Sequence, residues 1–121
     1  MQTRPKSSRK RAEASGRISE TFAAIYLTFK GYQIIEWRKK SRLGEIDMIA
    51  RRGKTLAFIE IKYRKTLEIA QFSVTKAQQL RIKNAANLYC SKRPWTREFL
   101  WRFDVIAIAP WKLPKHIKDA F

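Results

Sequence analysis

The chain has 121 residues, 45% of them hydrophobic and 12% aromatic, which suits one domain with its own core and excludes a disordered protein. Its 27 lysines and arginines against 10 acids give a net charge of +17, a balance that attracts polyanions: nucleic acid first, an anionic membrane surface or a ribosomal setting otherwise. A single cysteine, Cys90, excludes an intramolecular disulfide and points to a reducing, cytoplasmic compartment, and no apolar run approaches the ~20 residues that span a bilayer.

Residues 1–13 carry Arg4, Lys6, Arg9, Lys10 and Arg11 with almost no apolar side chains. They read as a disordered basic arm preceding one domain over residues 14–121. Ser15 to Lys30 is a predicted helix, with Ser15 as N-cap and Gly31 closing it. Ile18, Phe22, Ile25, Tyr26 and Phe29 form its apolar stripe, expected to face the core. Glu20 is offset from that stripe and lines up with Ala23, Ala24 and Leu27, a small-residue side that another element can approach. It is either an ordinary first-turn acid or a third carboxylate reaching toward the hairpin described next.

Tyr32 to Trp37 is a predicted first strand. Arg38, Lys39, Lys40 and Arg42 then form a basic loop, a candidate edge for a nucleic-acid backbone. Residues 44–64 read as two strands joined by a tight turn at Arg52-Gly53. Asp47 lies inside the first arm, and Glu60 and Lys62 near the end of the second, in segments that are otherwise apolar. Carboxylates are costly there unless paired or bound to a metal. Facing residues of an antiparallel pair share one side of the sheet. Any even loop without a bulge therefore puts Asp47, Glu60 and Lys62 on one face, with Ala57, Ile59, Ile61 and Tyr63 on the other. The three charges are either a surface salt-bridge cluster or a divalent-cation site with an ammonium beside the reacting water. Spacing alone leans to the former.

Lys65 to Val74 is expected as a loop, and Thr75 to Tyr89 as a second helix capped by Thr75. Ile82, Ala85, Ala86 and Tyr89 are its core stripe, while Lys76 and Gln78 are solvent-face residues or phosphate contacts. Residues 101–109 form a strand buried on both faces, in which Asp104 pairs with a neighbouring arginine. The tail docks Ile117 and Phe121. Helix, three strands, helix and strand make an α/β domain around one mixed sheet flanked by helices.

Several segments in this order resemble the YraN family of small bacterial proteins. They are Gly16-x-x-x-Glu20-x-x-Ala23-x-x-Tyr26-Leu27-x-x-x-Gly31-Tyr32, Gly44-Glu45-Ile46-Asp47, residues 58–64, Lys76-x-Gln78, residues 102–105 and the closing Ala120-Phe121. Ser19 stands where the family usually has a second glycine. The family is grouped with the restriction-endonuclease-like PD-(D/E)xK proteins and is similar to archaeal Holliday-junction resolvases. The resemblance implies a restriction-endonuclease-like mixed β-sheet and a Mg²⁺ (or Mn²⁺) site. Asp47 and Glu60 would be metal ligands, Lys62 the catalytic lysine and Glu20 the helical glutamate. The function expected is a metal-dependent endonuclease acting on branched or structured DNA, with Arg38, Lys39, Lys40, Lys76 and Gln78 on the nucleic acid, no membrane partner, and a homodimer favoured by two sites on one junction. The alternative is a non-catalytic nucleic-acid-binding protein of the same fold.

Overall fold

The computed structural model describes residues 6–121, with side chains from Gly16 onward. The elements are α1 (Lys6–Phe29), β1 (Gln33–Ser41), β2 (Gly44–Arg52), β3 (Thr55–Tyr63), α2 (Leu67–Gln71), α3 (Lys76–Ser91), a 3₁₀ turn (Pro94–Glu98), β4 (Leu100–Ile108) and β5 (Lys115–Ile117). The strands form one sheet in sequence order, β1-β2-β3-β4-β5. Only the β3–β4 pair is parallel, because α2 and α3 carry the chain back across the sheet between those strands. Among the described residues, no helix is long and apolar enough to cross a membrane.

Both faces of the sheet are covered. On one side Ala23, Ala24 and Leu27 of α1 pack on Met48, Ala50, Ala57, Ile59 and Ile106. On the other, Ala85, Ala86 and Tyr89 of α3 pack on Ile49, Leu56 and Phe58. Ile82, Ala85, Ala86 and Tyr89, the expected α3 stripe, are buried, and Cys90 joins them. The helix opens on a capping box, in which the Gln78 backbone N–H donates to the Thr75 hydroxyl and the Thr75 N–H to the Gln78 side-chain oxygen. That use of Gln78 is local and structural.

Helix α1 departs from expectation twice. It begins at Lys6, so the backbone of residues 6–13, expected in a disordered arm, is helical; residues 1–5 of that arm lie outside the described residues. Arginine, lysine and alanine have good helix propensity even without an apolar stripe. The packing face is also reversed. The small-residue side meets the sheet, whereas Ile18, Phe22, Ile25 and Phe29 are 57%, 56%, 50% and 89% exposed. Alanines let the helix backbone come close to the strands, which bulky side chains at those positions would prevent.

Strand β1 is longer than read. Arg38, Lys39 and Lys40 belong to it rather than to a loop, and a two-residue turn, Arg42-Leu43, leads into β2. Lysines on an edge strand discourage pairing with another chain. The loop expected at 65–74 contains α2, and the tail forms β5, with Ile117 and Phe121 packed as expected. The β2–β3 turn has Gly53 at φ 58°, the positive angle that the first central residue of a type II′ turn requires.

Candidate active site

The register of the β2–β3 hairpin is the one parity requires: Arg52 faces Thr55, and the ladder runs up to Met48 facing Ile59. The next pair in that register would be Asp47 with Glu60, and there the ladder stops. Residues 44–46 continue against β1 alone, and the β1–β2 ladder itself passes over Arg38 and Asp47. Side-chain alternation along β2 changes at the same point. Met48 packs under α1, yet Ile46 packs under α3, where strict period-two alternation would put both on one side. The strand twists at Asp47 and parts from β3.

A cleft of about 490 Å³ occupies the gap, lined by Ser19 and Glu20 from α1, Asp47 from β2, and Glu60 and Lys62 from β3. The Asp47 carboxylate accepts the Ile61 N–H at 2.9 Å. Lys62 Nζ lies 3.3 Å from Glu60 Oε1, and Lys62 is only 8% exposed. Burial pushes the Asp47 carboxyl up to about 8, with the Glu60 charge adding to it. Burial raises Glu60 as well, against the pull of Lys62. Both shifts favour the protonated carboxyl, and a cation entering the cleft would compete with that proton.

Glu20 reaches this cleft but is engaged elsewhere: Arg38 Nε donates to its Oε2 at 2.5 Å. Arg38 adopts a left-handed backbone, φ 47°, at the position the β1–β2 ladder passes over. Arg38 therefore closes the site electrostatically rather than standing free for phosphate. Among the described residues, no three His, Cys, Asp or Glu side chains gather closely enough to hold a metal ion. Asp47 and Glu60 are the two carboxylates that could hold a cation in this cleft, a number that would suit Mg²⁺, which binds one or two carboxylates and keeps waters or substrate phosphate for the rest of its shell.

The other basic residues expected on nucleic acid lie apart. Lys39 and Lys40 join Arg42, Lys92 and Arg93 around a second, basic cleft between β1 and α3. Lys92 and Arg93 escaped sequence reading because they follow the helix rather than belonging to its periodic face. Neither Lys76 nor Gln78 lines either cleft. Arg93 also lies over the Tyr89 ring, 3.8 Å from its centroid, and Tyr89 donates to Glu36 Oε2 at 3.1 Å.

A second polar cluster is buried at the opposite side of β4. Asp104, fully buried, accepts from Arg102 through both carboxylate oxygens at 2.8 and 2.7 Å and from the Asp119 N–H at 3.0 Å, with His116 Nε2 2.7 Å away. Arg102 also donates to the Tyr32 hydroxyl at 2.6 Å, and His116 Nδ1 meets Lys30 Nζ at 2.7 Å. The arginine partner of Asp104 is the expected one. The part of His116, twelve residues away along the chain, had no local signal.

Strand order, the parting of β2 from β3 and helices on both faces define a restriction-endonuclease-like α/β domain. The profile of the uncharacterised protein family UPF0102 matches residues 19–108. The UPF0102 protein of Rhizobium meliloti is 43% identical over 98% of this chain and 97% of its own length. The corresponding protein of Mesorhizobium japonicum is 39% identical over 100% and 97%, and that of Nitrobacter winogradskyi 45% identical over 88% and 91%. The chain belongs to the UPF0102 family, the YraN family of the sequence motifs.

Proposed function

We propose that this protein is a divalent-metal-dependent endonuclease acting on DNA, with branched or structured DNA as its substrate class. The observation that carries the reading is the convergence of Asp47, Glu60 and Lys62 in one cleft where β2 leaves β3. A bare salt-bridge cluster does not need two half-buried acids lining one cleft, since crowding like charges together costs stability. A site that receives a cation does.

Asp47 and Glu60 supply hard oxygen ligands. When bound, Mg²⁺ polarises a phosphodiester and lowers the pKa of a coordinated water. The Asp47 carboxylate is held in place by the Ile61 N–H. Lys62, tethered to Glu60, presents its ammonium to the cleft, where it orients the attacking water and offsets charge building on the phosphate. Arg38 holds Glu20 at the rim. Lys39, Lys40, Arg42, Lys92 and Arg93 form a track for the phosphate backbone, which fixes position without reading sequence.

The test is incubation of branched, flapped and single-stranded DNA and RNA with Mg²⁺ or Mn²⁺. Wild type cuts at least one of these, and Lys62→Ala binds the same molecule with similar affinity and leaves it whole. If both proteins bind equally and neither cuts, the protein is a non-catalytic nucleic-acid-binding module of this fold.

A further inference from the structure

The apolar face that α1 turns away from the sheet has a regular order. Ile18, Phe22, Ile25 and Phe29 are spaced four, three and four residues apart, the 3.5-residue repeat of a helix seam that packs against another helix. All four side chains are at least half exposed. Ile18 and Phe22 also form one wall of a groove of about 700 Å³, whose other wall is the Pro110–Pro114 loop with Trp111 and Leu113. Trp111 is fully exposed and Leu113 85% exposed. Six large apolar side chains thus form one uncovered surface on a chain that is otherwise strongly basic, the mark of an interaction site.

We propose that this surface is a homodimer interface, in which α1 packs antiparallel against α1 of a second copy. The seam is self-complementary in that orientation. A twofold axis passing between residues 23 and 24 sets Ile18 against Phe29 of the second copy and Phe22 against its Ile25. Ile18 then meets Phe29 and Phe29 meets Ile18, with Phe22 and Ile25 likewise, the reciprocity of an isologous contact. The same step brings Phe29 of the second copy, the most exposed side chain of the seam, beside Ile18 and into the groove under Trp111 and Leu113. A helix partner is what a heptad seam fits, and among the described helices α1 is the one that displays such a seam. Nucleic acid fits less well: Ile18, Ile25 and Leu113 offer no ring to stack on, and among the described residues lining the groove Lys112 is the one cation. The proposal is independent of the nuclease reading.

Two copies of a +17 chain repel each other, so this dimer tightens as salt screens them, whereas phosphate contacts loosen. Sedimentation of nucleic-acid-free protein at micromolar concentration should give twice the chain mass, and at about 0.5 M salt more so than at low salt. Phe22→Glu buries a charge against Ile25 of the second copy on each side of the axis and should weaken association by at least about 100-fold with an unchanged far-UV spectrum. The double variant Ile18→Cys with Phe29→Cys should form a disulfide-linked dimer under mild oxidation. Those two positions are roughly 16 Å apart along one helix, too far to bridge within a chain. A monomeric wild type at high salt overturns the proposal, as does a dimer that Phe22→Glu leaves intact. Cross-linking of Ile18→Cys alone as efficiently as the double variant would mean a parallel seam and overturn the antiparallel assignment.

Discussion

Asp47 accepts the Ile61 N–H at 2.9 Å, so a side chain makes the bond that a continued β2–β3 ladder would have made. The parted strand leaves backbone donors on β3, and the carboxylate that satisfies one of them is the same group that faces the cleft. Structure and chemistry therefore separate by substitution. Asp47→Asn keeps an acceptor for the N–H and should unfold in urea within about 0.5 kcal/mol of wild type while losing metal-dependent cleavage. Asp47→Ala orphans the donor and should cost about 1–3 kcal/mol. Equal stability of the alanine variant and wild type would show that Ile61 finds another partner and that the bond does not shape the cleft.

The raised carboxyls make metal binding and pH inseparable. Asp47 has a folded pKa of about 8, above its unfolded value near 4. Its contribution to stability is complete below the unfolded value and is lost as pH climbs through the folded one. The metal-free protein should therefore become less stable between roughly pH 4 and pH 8. A cation that takes the place of the Asp47 proton removes that loss. Mg²⁺ should raise the melting temperature more at about pH 8.5 than at about pH 6, with proton release detectable by calorimetry in two buffers of different ionisation heat. An Mg²⁺-induced shift that is the same at both pH values in wild type would argue against the carboxyl pair as its ligands.

Glu20 lines the same cleft but is bound to Arg38, and this pairing predicts an order of importance. Glu20→Gln should change the Mg²⁺-induced thermal shift little, within about twofold in apparent affinity, because Mg²⁺ needs no more than two carboxylates. Asp47→Asn should abolish the shift. The pair is partly solvated, so Arg38→Ala should cost no more than about 1 kcal/mol. If Glu20→Gln removes the metal response as completely as Asp47→Asn, the glutamate leaves Arg38 when the ion arrives.

How far these features were readable follows from their range along the chain. Asp47, Glu60 and Lys62 could be placed on one side because a two-residue turn and period-two alternation fix a hairpin by counting. Counting gave no warning that the strands part at Asp47, because the twist that moves Ile46 to the α3 side depends on packing from both layers. Periodicity groups Ile18, Phe22, Ile25 and Phe29 on one face of α1 but does not say which face meets the sheet. Ala23, Ala24 and Leu27 won because β3 runs close beneath them. Nothing within the 38–42 stretch points from Arg38 to Glu20, which lies on another element, so that pairing is not legible in the sequence. His116 could not have been joined to Asp104 from sequence, as only the antiparallel fold-back of β5 on β4 sets Ile106 beside His116.

The Asp104 cluster should govern the acid limit of the fold. Burial alone would raise its carboxyl, but hydrogen bonds from His116, Arg102 and the Asp119 N–H outweigh that and hold it down at about 2. For a carboxylate depressed in this way, the stabilisation is present above the unfolded pKa and disappears as pH falls through the folded one. Stability should therefore drop between about pH 4 and pH 2, in a window that lies below the one set by Asp47. Asp104→Ala leaves Arg102 without its carboxylate and the Asp119 N–H without an acceptor, and should cost about 3–5 kcal/mol at neutral pH. The network ties β4 to β5 and, through Tyr32 and Lys30, to the end of α1, so the loss should appear as faster amide exchange in β5 and in the last turn of α1. A variant that keeps wild-type exchange in both segments would show that the apolar contacts of Ile117 and Phe121 suffice to hold the tail, and that the buried charge is dispensable for it.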